Sequence, residues 1–353
     1  MSPSALAFTG LDADRADLAA VADDLLATAS DQEQAILEAG WAAIAIPEAA
    51  GGAGGTLADL APIAEAVGAR LAPTMAGWSS GVAGPVLARA GDREVVPRLA
   101  AGAATLAIPV GSPWRVAAGL SVAGGAVSGQ LRVLGRADGT AGGAAPGAAD
   151  IIAVVPVRVD GQEALAVVPT DHGAVTVRVR EPVDVTRPVA DLELAGLALA
   201  DATLAIGDDL FADWTRRSGV ICALDAAGGA RVALQRLLEH AHTRYQFGRP
   251  IGSFQAYKHR CARAFIELKL AQSLAFRAAR EIDTAEGSRL ALAAAVFCAN
   301  RATYVIGEAI QLYGGMGFTW EVGLHAHLKR ARIDEIIAKA DGWAARELLK
   351  ETA

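Results

Sequence analysis

From Phe211 to Lys350 an apolar residue returns at every third or fourth position, through four segments joined by short connections. Ile221, Leu224, Leu234, Leu237, Leu238 and Ala241 make one such face, and Phe254, Tyr257, Cys261, Ala264, Phe265, Leu268 and Ala275 make the next. Leu290, Ala294, Phe297, Arg301, Tyr304 and Val305 give a third, mixed face, and a fourth segment runs from about Leu324 to Lys350. An apolar stripe of this length must be buried against a neighbour, and short connections make consecutive helices antiparallel. The pattern predicts a four-helix bundle over 209–353.

Upstream the texture differs. Between Thr105 and Asp208 short runs such as GQLRVLG, IIAVVPV, EALAVVP, VTVRV and ADLEL are rich in β-branched and aliphatic residues and are bounded by Gly, Pro or Asp. They read as strands of a β domain over 105–208, with the glycine-rich RADGTAGGAAPGAAD as a loop. Residues 1–104 return to helical spacing: Thr56 and Asp59 form an N-terminal cap, and Leu57, Leu60, Ile63, Ala64 and Val67 share one face. GGAGG before that helix is a turn, because no Lys-Ser/Thr pair follows to make a nucleotide motif. The fold class is therefore α+β: an N-terminal helical domain over 1–104, a central strand-rich domain with hairpins over 105–208 and a C-terminal four-helix bundle over 209–353.

Acidic residues outnumber basic ones by 39 to 32, a net charge of −7, so nothing global attracts nucleic acid or an anionic membrane. MSPSALAFTGLDADR has no basic region ahead of an apolar core, and no uninterrupted apolar run reaches about 18 residues, so a cytoplasmic protein with neither signal nor membrane span is expected. Cys222, Cys261 and Cys298 are far apart and read as free buried thiols. His325 and His327, two apart on a helix, point to different sides and do not make a metal pair.

Two stretches carry the chemistry. In HTRYQFGRPIGSFQ, His242–Gln255, Pro250 cannot continue a helix and Gly248 and Gly252 let the chain turn, which makes FGRPIG a corner between two bundle helices and puts Arg244 in the last helical turn before it. In IQLYGGMGFTWE, Ile310–Glu321, paired glycines end the third helix just after Gln311 and permit close approach of a backbone or a planar ligand. A cation at one corner and a glycine platform at another could hold a dinucleotide.

RYQFGRPIGSFQAYKHRCA and AIQLYGGMGFTWEVGLHAHLKRA, in this order and at this separation, resemble the acyl-CoA dehydrogenase family, with weaker echoes in GWAAIAIPEAAGGAGG, VVPRLAAGAATLAIP and PVDVTRPVADLEL. The resemblance implies an acyl-CoA dehydrogenase-like fold, with an N-terminal helical domain, a central small β-barrel and a C-terminal four-helix bundle, and FAD shared across a subunit interface: the barrel of one subunit holds the flavin ring, and the bundle of its neighbour holds the pyrophosphate and adenosine. Carried over, Arg244 would pair with the pyrophosphate, Gln246 and Phe247 would sit beside it with Gln255 nearby, and Gln311, Gly314 and Gly315 would border the adenosine.

The resemblance also implies oxidation of the Cα–Cβ bond of an acyl thioester, for which a Glu must lie over the substrate α-carbon. The chain departs from that pattern. The barrel motif Thr-Glu-Pro, then Gly-Ser-Asp, is here AIPVGSPWRV, and the Trp-Ile-Thr type segment is replaced by GTAGGAAPG. The two registers for the base fall at Ala338 and Ser218, so no residue is assigned as catalytic. Asp225, Asp334 and Glu335 are nearby acids, ordinary helix charges unless one of them substitutes. The pattern resembles the shorter, degenerate subunit of heteromeric family members, completing the FAD site of a base-bearing paralogue in an α2β2 tetramer. Its substrate would be the CoA thioester of a bulky acid such as a steroid side chain. A self-sufficient homomeric enzyme using Asp225, and a flavin-free scaffold, are the alternatives.

Overall fold

The structure is a computed structural model that describes residues 6–135 and 150–352. The GTAGGAAPG segment lies outside the described residues. Six helices open the chain: α1 (Ala13–Thr28), α2 (Gln32–Glu38), α3 (Leu57–Arg70), α4 (Ala76–Trp78), α5 (Gly84–Arg89) and α6 (Val95–Ala100). A β region follows, with strands β1 (Ala104–Pro109), β2 (Leu120–Ala123), β3 (Ala126–Leu134), β4 (Asp150–Val159), β5 (Gln162–Pro169), β6 (Val175–Arg180), β7 (Val189–Ala198) and β8 (Thr203–Ile206), and helix α7 (Pro113–Ala118) inserted after β1. The bundle comprises α8 (Leu210–Thr243), α9 (Gln255–Glu281), α10 (Gly287–Tyr313), α11 (Leu324–Lys339) and α12 (Trp343–Thr352).

The α3 helix starts as its sequence dictates. Asp59 Oδ2 accepts from the Thr56 amide at 2.8 Å and from the Thr56 hydroxyl at 2.7 Å, and Leu57, Leu60, Ile63, Ala64 and Val67 are buried. That face packs on α8 so closely that side chains are excluded from part of the contact. A Cβ on Gly68 would stand 1.9 Å from the Asp225 carbonyl oxygen, and one on Gly228 would stand 1.9 Å from that of Glu65.

In the β region the strand order is β6-β7-β3-β1-β4-β5-β8, with β2 added on β3. The alternating apolar runs pair antiparallel, as hairpin-connected strands do, with Ile152↔Pro169 through Val159↔Gln162 joining β4 to β5. The joint is β1, the run ATLAIP, which pairs antiparallel with β3 and parallel with β4. Its role has no local signal, since a parallel partner is chosen by the crossover and not by the strand's own pattern.

The fourth bundle segment is two helices, not one. Ala340 and Asp341 have φ of +44° and +55°, and α12 sets off in a new direction after Gly342 at φ +82°. The side chain of Asp341 holds the break, accepting from the Ser112 amide at 3.2 Å and from Arg115 Nη1 at 3.0 Å. A tertiary contact thus overrides a helical period that runs on in the sequence. By length and composition Gly287–Phe318 is apolar enough to cross a membrane, although no single run in it is uninterrupted; more than half of its apolar window is buried in the bundle. All three cysteines are buried and free. Burial pushes the Cys261 thiol up to about 11 and holds Cys222 and Cys298 well above the usual thiol range.

Candidate functional site

Helix α8 ends at Thr243, and Arg244 follows with extended backbone, φ −84° and ψ 123°. A two-stranded ribbon begins there: Tyr245 pairs with Pro250 and Gln246 with Arg249, and the Ile251 amide donates to the Arg244 carbonyl at 2.8 Å. At its tip Phe247 and Gly248 both have positive φ, +52° and +77°, as a tight hairpin turn with right-handed strands requires. Gly252 packs back on α8, where a Cβ would be 2.9 Å from the Ala241 carbonyl oxygen. The corner is a small hairpin between helices, and the two glycines serve it differently.

The second stretch meets the first at one end of the bundle. Tyr313, the last residue of α10, stacks on His240 with centroids 4.2 Å apart and donates its hydroxyl to the Arg236 carbonyl at 2.9 Å. Tyr257, in the first turn of α9, donates to the Leu312 carbonyl at 3.3 Å. These ties bring Arg244, Gln246, Phe247, Gln255, Gln311, Gly314 and Gly315 to one end of the molecule, with all seven exposed. Gln255 faces His259 at 3.1 Å, and no atom lies within 4 Å of a Cβ placed on Gly314 or Gly315. The shelf is open.

At this end one cation stands apart from the acids around it. Among the described residues no carboxylate pairs with Arg244. Burial, with Arg244 close by, depresses the His240 pKa, which keeps that ring neutral. Phe247 is 91% exposed and Trp320 73% exposed, with Tyr245 and Phe318 also outward. A cluster of exposed aromatics beside a free guanidinium marks a surface made for contact. The residues fit the pyrophosphate and adenosine half of a dinucleotide: a fork-shaped cation for phosphate, amides, and a side-chain-free shelf for a planar base.

The chain's own β region offers the opposite picture. Trp114, in AIPVGSPWRV, stacks on Trp343 of α12 with centroids 4.6 Å apart and meets Phe211 edge-on at 5.8 Å. Its Nε1 donates to Glu163 at 2.9 Å, and the other oxygen of that carboxylate accepts from the Phe211 amide at 3.1 Å. With Ser112 tied to Asp341, the segment that would face a flavin ring is spent on contacts within the chain.

The registers of the family's base are likewise occupied. Ser218 and Ala338 are buried, and the Ser218 hydroxyl has no partner among the described residues. Between them lies a quartet of buried charges. Asp225, two turns past Ser218 on α8, accepts from Arg330 Nε at 2.9 Å and Nη2 at 2.7 Å, and pairs with Arg187 at 3.0 Å. Arg187 also pairs with Asp334, one turn before Ala338 on α11. Arg330 donates further to the Ala72 carbonyl at 3.0 Å and the Thr186 hydroxyl at 2.9 Å, so the quartet pins α3's far end, the β6–β7 loop, α8 and α11 together.

Burial opposes ionisation of Asp225, but Arg330 and Arg187 outweigh it and hold its pKa down to about 2. Burial, with the charge of Asp225 adding to it, pushes Asp334 well above the usual carboxylate range although Arg187 pulls the other way. Asp225 is thus a fixed counter-ion, a correction to its candidacy as a substitute base: a carboxylate clasped by two guanidiniums has little affinity for a proton. Glu335 is no better placed, held low against burial by Lys339, Asn300 and Arg332. The cavity beside the quartet, lined by Trp41, Ile63, Trp78 and Ile221, measures about 20 Å³, space for about one water and for no acyl chain.

His327 is buried against α8, and its pKa is lowered to about 4 by burial, with Arg236 and Arg330 adding to the effect. An unfolded histidine titrates near 6.5. Between those values the unfolded chain binds a proton that the folded chain refuses, so acidification from about pH 6.5 to 4 should cost roughly 3 kcal/mol through this residue alone. Urea midpoints across that range should fall for the parent chain and flatten in His327→Gln. An equally steep fall in the variant would assign the loss elsewhere.

Arg187, Arg330 and Trp343 escaped the sequence. None of the three stands out locally: Arg187 lies in the loop EPVDVTRP beside Glu181 and Asp184, where a cation among acids is unremarkable.

Against known proteins, residues 14–105 match the family described as Acyl-CoA dehydrogenase, N-terminal domain, and residues 216–342 match Acyl-CoA dehydrogenase, C-terminal domain. The acyl-CoA dehydrogenase FadE34 of Mycobacterium tuberculosis is 32% identical over 315 residues, covering 86% of this chain and 39% of FadE34, so the chain spans well under half of that relative. The acyl-CoA dehydrogenase IpdE2 of Mycolicibacterium smegmatis is 30% identical over 295 residues, 83% of this chain and 78% of IpdE2. In fold the chain is similar to the ChsE4-ChsE5 complex from Mycobacterium tuberculosis, with a TM-score of 0.81, 22% identity and 98% of both chains covered.

Proposed function

Since this chain belongs to the acyl-CoA dehydrogenase family, we propose that it is a partner subunit: it lends a phosphate-and-adenosine clamp to the FAD site of a base-bearing paralogue and carries out no chemistry alone. One contrast carries the proposal. The clamp end is open and its Arg244 stands apart from acids, while both places where a self-sufficient enzyme needs room are filled, by the Trp114–Trp343 stack and by the Arg187–Asp225–Arg330–Asp334 quartet.

In the assembly Arg244 pairs with the pyrophosphate, Gln246 and Phe247 flank it with Gln255 nearby, and Gln311, Gly314 and Gly315 border the adenosine. Bound FAD supplies the acceptor for a hydride from the β-carbon of a CoA thioester. The α-proton goes to a carboxylate of the paralogue, because among the described residues no carboxylate is both free and placed for it. The protein works in the cytoplasm as half of an α2β2 assembly, on thioesters of bulky acids such as a steroid side chain, with domains at 1–104, 105–208 and 209–353. Neither membrane nor nucleic acid takes part.

Co-expression with a paralogue that has an intact barrel motif and a Glu should give a yellow complex that reduces a dye with an acyl-CoA. In that complex Arg244→Ala should weaken FAD about 10- to 100-fold, the worth of a charge-assisted contact, without dissociating the subunits. A colourless complex would leave only a flavin-free scaffold, and a yellow complex whose flavin content the variant leaves unchanged would overturn the clamp at Arg244. Stoichiometric flavin and activity in this chain purified alone would favour a homomeric enzyme instead.

A further inference from the structure

The ribbon after α8 carries a second guanidinium. Directly opposed residues of an antiparallel ribbon share a face, and alternate residues along each strand do too. Gln246 opposes Arg249, Tyr245 opposes Pro250, and the Ile251 amide donates to the Arg244 carbonyl two rungs from the first pair, so Arg244, Gln246 and Arg249 share one face while Tyr245 and Pro250 take the other. Arg244 and Arg249 are thus diagonal neighbours across the ribbon, roughly 7–8 Å apart at Cα and within reach of long side chains, so their guanidiniums can grip two linked phosphates together.

Arg249 is held ready. Its guanidinium carbon lies 4.1 Å above the centroid of Phe254, whose ring is met edge-on by Phe247 at 6.1 Å. Stacking uses the face of the guanidinium and leaves its N–H groups directed outward in the plane, free for a bidentate acceptor. Among the described residues no carboxylate pairs with Arg249. Two guanidiniums without an acid partner, on one face of one short ribbon, form a site that an anion from outside can fill.

We infer that Arg249 is a second phosphate-binding residue of this corner, gripping the same pyrophosphate as Arg244 from the opposite strand of the ribbon. The inference rests on the clamp proposed above and adds a residue to it.

The test uses the complex of this chain with its paralogue, stripped of flavin and titrated with FAD, ADP and adenosine at two salt concentrations. Arg249→Gln should weaken FAD and ADP about tenfold and make their salt dependence shallower, leave adenosine unchanged, and be partly rescued by Arg249→Lys. FAD and ADP bound as tightly as by the parent would overturn the inference. So would an equal loss for adenosine, or a complex that no longer assembles, since either makes Arg249 a packing residue. Arg244→Ala, run in parallel, separates the two claims. If it too changes nothing, the clamp itself is wrong; if it weakens FAD while Arg249→Gln does not, only the second cation is lost.

Discussion

Arg330→Ala is expected to lower the stability of this chain by about 3–5 kcal/mol, the range for removing one partner of a buried ion pair. Arg330 is 2% exposed and makes four contacts, two to Asp225 and one each to the Ala72 carbonyl and the Thr186 hydroxyl. Its removal leaves a buried carboxylate with Arg187 as its remaining cation, a backbone carbonyl without its donor, and a void. A domain's whole margin is commonly about 5–15 kcal/mol, so the variant should show a much reduced urea midpoint. The pair Arg330→Met with Asp225→Leu removes both charges and should recover most of the loss, because the penalty lies in the orphaned ion more than in the missing attraction. If Arg330→Ala costs less than 1 kcal/mol, the quartet is not a structural lock and Asp225 returns as a candidate base.

Gly228→Ala should be nearly as damaging, against the sign that helix propensity gives. In a helix interior alanine is better than glycine by up to about 1 kcal/mol. Here the added Cβ would meet the Glu65 carbonyl oxygen at 1.9 Å, and the obstacle is the backbone of α3, which cannot rotate away as a side chain would. The helices must part along a contact that also holds Gly68 against Asp225, so a loss near the upper end of the overpacking range, about 3 kcal/mol, is expected. Gly307→Ala is the control: a Cβ there finds nothing within 4 Å, so the propensity gain should appear. Gly68→Ala should cost a similar amount to Gly228→Ala, and the double variant less than the sum, because one separation relieves both clashes. A stabilised Gly228→Ala chain would mean that α3 and α8 are not in contact as described.

The two variants probe different layers of what could be read in advance. The apolar period of α8, the cap at Thr56, and the runs that became β3 to β7 were legible because each depends on neighbours a few residues away. The corner and the platform were legible for the same reason: Pro250, Gly248 and the Gly314–Gly315 pair restrict the chain locally. Their meeting was not. It depends on Tyr313 reaching His240 across 73 residues, and on Tyr257 reaching Leu312. The break after Lys339 was hidden too, because Asp341 is held by Ser112 from the other side of the chain.

By itself, then, the sequence determined the order helix, strand, helix, the corner that follows α8 and the glycine shelf that ends α10, since backbone sterics and hydrophobic period act within a few residues. Only the tertiary structure decided what the acids and Trp114 are for. Whether a carboxylate is a base or a counter-ion depends on which cation folding brings within about 3 Å of it, and Arg187, Asp225 and Arg330 come from three separate stretches of chain. Whether a tryptophan lines a ligand site or fills it depends in the same way on where Trp343 comes to rest.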